Sequence, residues 1–405
     1  MEASRLDAVD TGLRALVERG EYTGVAAMVA QHGRVLRAIC HGMQEVDADG
    51  GGVRPMAPDT IVRLASLTKP VTAVALMQLC EAGRVDLDEP ITRWLPELAS
   101  LTVLAPHARA AGAPLSPGQA PDTEPLRTVP TVRQVIANLA GLGYGIFDDS
   151  PVEAFMRRAK LFSRDGGVGR LRVPLSELPA RVAEIPLAAQ PGEEWRYGVS
   201  HDLIGELVAR VSGQSFGRYL QERIFDPLGM KDTGFHVPAA SVDRFAALYT
   251  APSPGEALKR LDDPASSPFL DPQAPESGGG GLVSTLGDYG RFAMALAAGG
   301  ALDGVRLLRE ETLAAMLGNH VLGQRFPVRF GGRPQVGMGY GLGVGVFAAH
   351  APGAPPPGTF GWIGTSGTTV WIDPSQGTVV LALPQGVWHW AAGNLMVAQL
   401  LGPAP

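Results

Sequence analysis

Apolar positions along the chain change their period several times. From residue 6 to 18 they fall at Leu6, Val9, Leu13, Leu16 and Val17, one face of a helix that Gly20 closes. Residues 24–30 and 34–40 are two short apolar runs around Gln31-His32-Gly33, which predicts a β-hairpin turning at Gly33. Residues 60–64 lead into a run that is apolar nearly all round, 71–80, long enough for three helical turns and stopped by Gly83. Helical spacing recurs over 131–139, 152–162, 175–185, 202–211, 215–225, 286–298 and 310–317. Beyond Gly339 the pattern turns to strands, 340–347, 368–372 and 378–383, before a closing helix at 390–401. Residues 101–130 and 251–281 hold no period and are expected to be long loops walling a pocket.

Strands at both ends with helices between them predict an α/β lobe built from the two termini, 1–70 and 285–405. A mostly helical lobe, 71–284, is inserted, and a cleft between the two is a natural ligand site. The 405 residues, 45% of them hydrophobic, suffice for such a core. A net charge of −6 argues against nucleic acid or an anionic membrane as partner. Cys40 and Cys80 make no disulfide framework. The first residues lack a basic-then-apolar leader and no apolar run reaches the ~20 residues of a membrane span, so a cytoplasmic protein is expected. The oligomeric state is left open.

The stretch that organises the chain is Leu64-Ala65-Ser66-Leu67-Thr68-Lys69-Pro70. Proline is tolerated only in a first helical turn, so Ser66 sits at or just before a helix N-terminus. Lys69, three residues on, shares its face. Lysine is rare here, Lys69, Lys160, Lys231 and Lys259 being the four, and burial lowers a lysine pKa. A serine beside a lysine that can be neutral is an activated nucleophile. Tyr197, in Glu194-Trp195-Arg196-Tyr197, is a second candidate: beside an ammonium, a buried phenol is expected to titrate below its usual value of about 10 and to act as base and acid. A third is Gly361 to Thr369, small residues before an expected edge strand, where the Thr365 N–H and that of Ser66 could form an oxyanion hole. Gly213-Gln214-Ser215-Phe216-Gly217 matches a nucleophile elbow, but a helical pattern precedes it, so Ser215 reads as a helix N-cap. No metal-spaced His/Cys cluster and no phosphate or dinucleotide loop is present, so no metal or cofactor is expected.

Together these segments resemble the serine β-lactamase and penicillin-binding-protein-like superfamily, and within it the class C-related carboxylesterases of family VIII. The similarity rests on Arg63 to Ala73, Glu194 to Tyr197 with Asp202 to Gly205, Gly278 to Thr285 with Asp288-Tyr289, and Trp362-Ile363-Gly364. It implies a two-lobe β-lactamase/DD-peptidase-like fold and Ser66 as the acylated nucleophile. Lys69 and Tyr197 would share the proton work, and the Ser66 and Thr365 N–H groups would hold the oxyanion. Trp362, Gly364, Tyr144 and His201 are the candidate pocket residues. Three positions depart from the lactamase pattern: Val199 replaces an Asn, Trp362 a Lys, and Asn138-Leu139-Ala140-Gly141-Leu142 a His-Thr-Ser-Gly-Leu. Loss of the lysine weakens recognition of a β-lactam carboxylate. The implied activity is hydrolysis of small-molecule carboxylic esters. The alternatives are acyl transfer to an alcohol or amine of a secondary metabolite, weak β-lactam or amide hydrolysis, and a catalytically silent binding relative.

Overall fold

The computed structural model describes residues 1–46, 52–109, 121–147, 149–163, 169–253, 256–330 and 332–402. The expected excursion at 101–130 therefore lies partly outside the described residues. Its described flanks pair as two short strands, Thr102–Leu104 and Thr123–Pro125.

One large antiparallel sheet takes its strands from both chain ends. They are β1 (Gly24–Gln31), β2 (Arg34–Val46), β3 (Gly52–Pro55), β4 (Met338–Tyr340), β5 (Gly345–Phe347), β6 (Phe360–Ile363), β7 (Thr369–Asp373) and β8 (Thr378–Pro384), in the order β4-β5-β6-β7-β8-β1-β2-β3. The ends meet where β1 lies against β8, with Val25 opposite Pro384 and Val29 opposite Val380. Both faces of this seam are covered. Val25, Ala27 and Val29 pack with Leu6, Val9 and Leu13 of helix α1 (Ala3–Glu18), whereas Ala26, Met28 and Ala30 join the larger core on the other face. A strand buried on both sides needs no polar alternation, which is why β1 and β8 read as unbroken apolar runs.

Four further helices position the site. Helix α2 (Thr68–Glu81) is buried along nearly its whole length. Helix α3 (Ser200–Ser212) packs against it. Helix α4 (Leu286–Ala297) lies on the sheet and α5 (Ala391–Leu400) lies beside α1.

The structure departs from the sequence reading in the C-terminal strands. The single strand expected over 340–347 is a hairpin, β4 and β5, folded at Gly343, whose φ is +87°. That turn is pressed against α2: a Cβ on Gly343 would lie 2.5 Å from Ala73 Cβ. Strand β6 was hidden among the small residues of 361–367, and it places β7 inside the sheet rather than at its edge. Ser215 caps the short helix Phe216–Leu220, accepting the Arg218 N–H, and no strand precedes it, as a nucleophile elbow would require.

Candidate active site

The segment before α2 turns sharply. A two-residue strand, Val62–Arg63, pairs with Val283–Ser284; Ala65 then takes a left-handed φ of +48°, and Ser66 sits in a single 3₁₀ turn that runs into α2. A non-glycine residue in that region carries about 1 kcal/mol of strain or more, and the surroundings must hold it. They do so from the turn joining β6 to β7: Ser366 Oγ donates to the Arg63 carbonyl at 2.7 Å, and Thr368 Oγ1 to the Leu64 carbonyl at 2.8 Å. The approach is so close that position 364 admits only glycine, since a Cβ there would lie 2.2 Å from Thr368 Oγ1 and 2.5 Å from the Leu64 carbonyl oxygen.

Lys69 is fully buried in the first turn of α2. Its Nζ lies 3.2 Å from Ser66 Oγ and donates to the Gly279 carbonyl at 2.6 Å. It stands 4.6 Å from the Tyr197 ring centre and 5.3 Å from that of Tyr144. Burial lowers the Lys69 pKa to about 7, against the opposing pull of the Asp202 carboxylate. Near neutral pH a large fraction of this amine is therefore unprotonated.

Tyr197 accepts the Trp362 indole N–H at 2.8 Å. Its titration runs opposite to the sequence expectation. Burial raises the phenol well above its usual value, and the lowering influence of Ser66 and Trp362 does not reverse this. Burial thus holds Tyr197 as a phenol.

Asp202, at the start of α3, is fully buried. It accepts from Ser277 Oγ at 2.6 Å and from the Gly279 N–H at 3.1 Å, so it fixes the glycine whose carbonyl receives Lys69. Burial raises its pKa, opposed by Ser277, Lys69 and the Gly279 N–H. Glu153, also fully buried, gathers the N–H groups of Tyr144, Gly145 and Ile146 at 3.0, 2.5 and 2.9 Å and so shapes one pocket wall. Sequence reasoning gave neither acid a role. The available signal was a carboxylate inside an apolar helical pattern, beside Leu203-Ile204 and after Val152.

A cavity of about 360 Å³ opens over Ser66. It is lined by Ala65, Ser66, Tyr144, Ile146, Phe162, Ser163, Gly169, Gly280, Thr365 and Trp388. Ser66, Tyr144 and Thr365 thus share one pocket. Three expected pocket residues do not line it. His201 is fully buried behind Lys69, where burial and that cation hold its pKa well below the usual value, and so it is a neutral packing group. Trp362 acts through its bond to Tyr197, and Gly364 through its close approach to the nucleophile turn. The aromatic part of the lining is Tyr144, Phe162 and Trp388, with Tyr144 and Phe162 meeting edge to face at 4.8 Å. Among the described residues no Lys or Arg lines the cavity, and no group of three or more His, Cys, Asp or Glu is placed to hold a metal ion.

A buried Ser-Lys-Tyr cluster between an antiparallel sheet and a helical layer defines the serine β-lactamase and penicillin-binding-protein-like fold. The β-lactamase family description matches residues 9–387, and the chain belongs to that family. It is 31% identical over 417 residues to esterase EstB of Burkholderia gladioli, an alignment covering 98% of this chain and 93% of that protein. It is 30% identical over 341 residues to the acyltransferase calJ of Penicillium decumbens, covering 80% and 75%. The solved structure of EstCE1, described as a hydrolase with promiscuous acyltransferase activity, shares the fold with a TM-score of 0.75 at 24% identity over 99% of both chains. No helix among the described residues is long and apolar enough to cross a membrane.

Proposed function

We propose that this protein hydrolyses uncharged carboxylic esters through an acyl-Ser66 intermediate. The observation that carries the reading is the contact of Ser66 with a buried Lys69 whose pKa lies near 7, on the floor of an apolar cavity. Neutral Lys69 takes the Ser66 proton as Oγ attacks the ester carbonyl. The Ser66 and Thr365 N–H groups face the developing oxyanion. As the tetrahedral species collapses, the alcohol leaves with a proton supplied through Tyr197, which burial keeps protonated. Lys69 ends each half-reaction able to accept a proton again, this time from the water that attacks the acyl-enzyme.

The apolar wall favours an uncharged acyl group. Trp362, in place of a lysine, commits its only donor to Tyr197 and offers nothing to a β-lactam carboxylate. A second reading, acyl transfer, is favoured by the similarity to acyltransferase calJ. It shares every step until an alcohol replaces water.

The test is turnover of p-nitrophenyl butyrate by wild type, Ser66→Ala and Ser215→Ala, with and without added alcohols. Ser66→Ala should lose activity by a factor of at least about 10³ while Ser215→Ala keeps it. An active Ser66→Ala variant would refute the reading. Ester product exceeding acid product when an alcohol is present would favour transfer over hydrolysis.

A further inference from the structure

Three consecutive carbonyls of the loop beyond β6 are held by one segment of chain. The Gly364 carbonyl accepts the Trp390 indole N–H at 2.7 Å, the Thr365 carbonyl accepts the Trp388 N–H at 2.8 Å, and the Ser366 carbonyl accepts the Gly386 N–H at 3.1 Å. The first contact is the only one of the three made by a side chain. It falls on the peptide unit that links Gly364 to Thr365, the unit whose N–H is assigned to the oxyanion. In a trans peptide the C=O and N–H point in opposite directions. Drawing the carbonyl toward Trp390 therefore turns the Thr365 N–H toward the cavity that Ser66 and Thr365 share. That N–H makes no hydrogen bond within the protein among the described residues and is available to a ligand.

We propose that Trp390 is a positioning residue for the oxyanion hole, its indole N–H fixing and polarising the Gly364–Thr365 peptide so that the Thr365 N–H is a better donor. This rests on the Ser66 reading above. The Gly367 N–H also reaches the Gly364 carbonyl, at 3.0 Å, so the peptide keeps one partner without Trp390. What Trp390 adds is a second donor on the same oxygen and an anchor outside the turn itself. Donors on a carbonyl strengthen the N–H of the same peptide by polarisation. The tetrahedral anion presses on this donor harder than the neutral ester does, so the contribution falls on the transition state.

The experiment compares wild type, Ser66→Ala, Trp388→Ala and Trp390→Phe on p-nitrophenyl butyrate. Inhibition by n-butylboronic acid, which a serine hydroxyl adds to as a tetrahedral anion, is measured alongside. Trp390→Phe keeps the ring and loses the donor. It should lower kcat about tenfold or more, leave KM within about threefold, and raise the boronate Ki by the factor that kcat/KM falls. Trp388→Ala keeps its backbone bond to Thr365 but removes a pocket wall that also packs edge to face on Trp390 at 5.8 Å, so most of its loss should fall on KM and any loss of kcat should be smaller than that of Trp390→Phe. Should Trp390→Phe fold poorly, benzothienylalanine at position 390 replaces the N–H with sulfur at nearly the same shape and should give the same pattern. An inactive Ser66→Ala together with a Trp390→Phe variant that matches wild type, or whose loss lies in KM with boronate Ki rising alongside, would overturn the proposal and leave the Ser66 reading standing. An active Ser66→Ala would overturn both.

Discussion

The protonation state of Lys69 sets the pH range of this site. Its pKa near 7 comes first from burial, and Asp202 pulls it upward. Only the neutral amine can take the Ser66 proton, so kcat/KM should fall tenfold per pH unit below about 7 and level off above it. Asp202→Asn removes the charge that favours the ammonium while keeping an oxygen for Ser277 and Gly279. The acid limb should then move to lower pH; a limb that stays or rises would show that Asp202 does not act on Lys69. At this scale the sequence was most readable where spacing alone makes chemistry. Ser66 and Lys69 are one helical turn apart, and the structure sets them in contact. Tyr197 lies beside Lys69 in the structure, but the expected direction of its titration is reversed. Burial dominates that titration, and a sequence does not display burial. His201 was misplaced for a related reason: an imidazole near Tyr197 in sequence points inward from the buried start of α3.

The elements that matter most are the nucleophile turn and the loop after β6, locked together by Ser366 and Thr368. Their separation is set by the absence of a side chain at position 364. Gly364→Ala brings a Cβ to 2.5 Å from a backbone oxygen, so the loop must withdraw from Ser66 and carry the Thr365 N–H with it. The expected result is a loss of kcat of about 10² or more with the chain still folded by circular dichroism, in line with removal of one oxyanion donor. Unchanged kcat would show that Thr365 is not that donor. Helices with strong periodicity were legible, residues 310–317 being found at Glu310–Leu317. The hairpin of β4 and β5 was not, because Gly341 and Gly343 sit within an otherwise apolar run and the turn is enforced by packing on Ala73. Strand β6 escaped for the same reason: four residues amid glycines carry too little pattern to show a strand.

Across the whole molecule, the site is assembled from segments near residues 66, 144, 197 to 202, 279 and 362 to 366, held against a sheet that joins the two ends of the chain. The arrangement of strands at both ends was readable from hydrophobic pattern; the distances between these segments were not, since they depend on long-range packing. One such tie is Arg63, fully buried, whose guanidinium lies 2.7 Å from Asp262 and 4.0 Å from the centre of the Phe245 ring. It joins the strand that precedes Ser66 to Arg260–Asp262, a short strand inside the stretch 251–281 that was expected to be loop throughout. Asp262→Ala leaves a buried cation without its partner and should cost about 3 kcal/mol or more in urea unfolding, with activity falling as the nucleophile turn loosens. A loss below about 1 kcal/mol would mean that the pair contributes little to this junction.

The central claim is that Ser66 is acylated, and the most direct measurement is intact mass during turnover of p-nitrophenyl butyrate, with peptide mapping of any adduct. A transient butyryl adduct on Ser66, absent from Ser66→Ala and formed far more slowly by Lys69→Ala, is the predicted result. Turnover by Ser66→Ala, or an adduct mapping to Ser215 or elsewhere, would contradict the account.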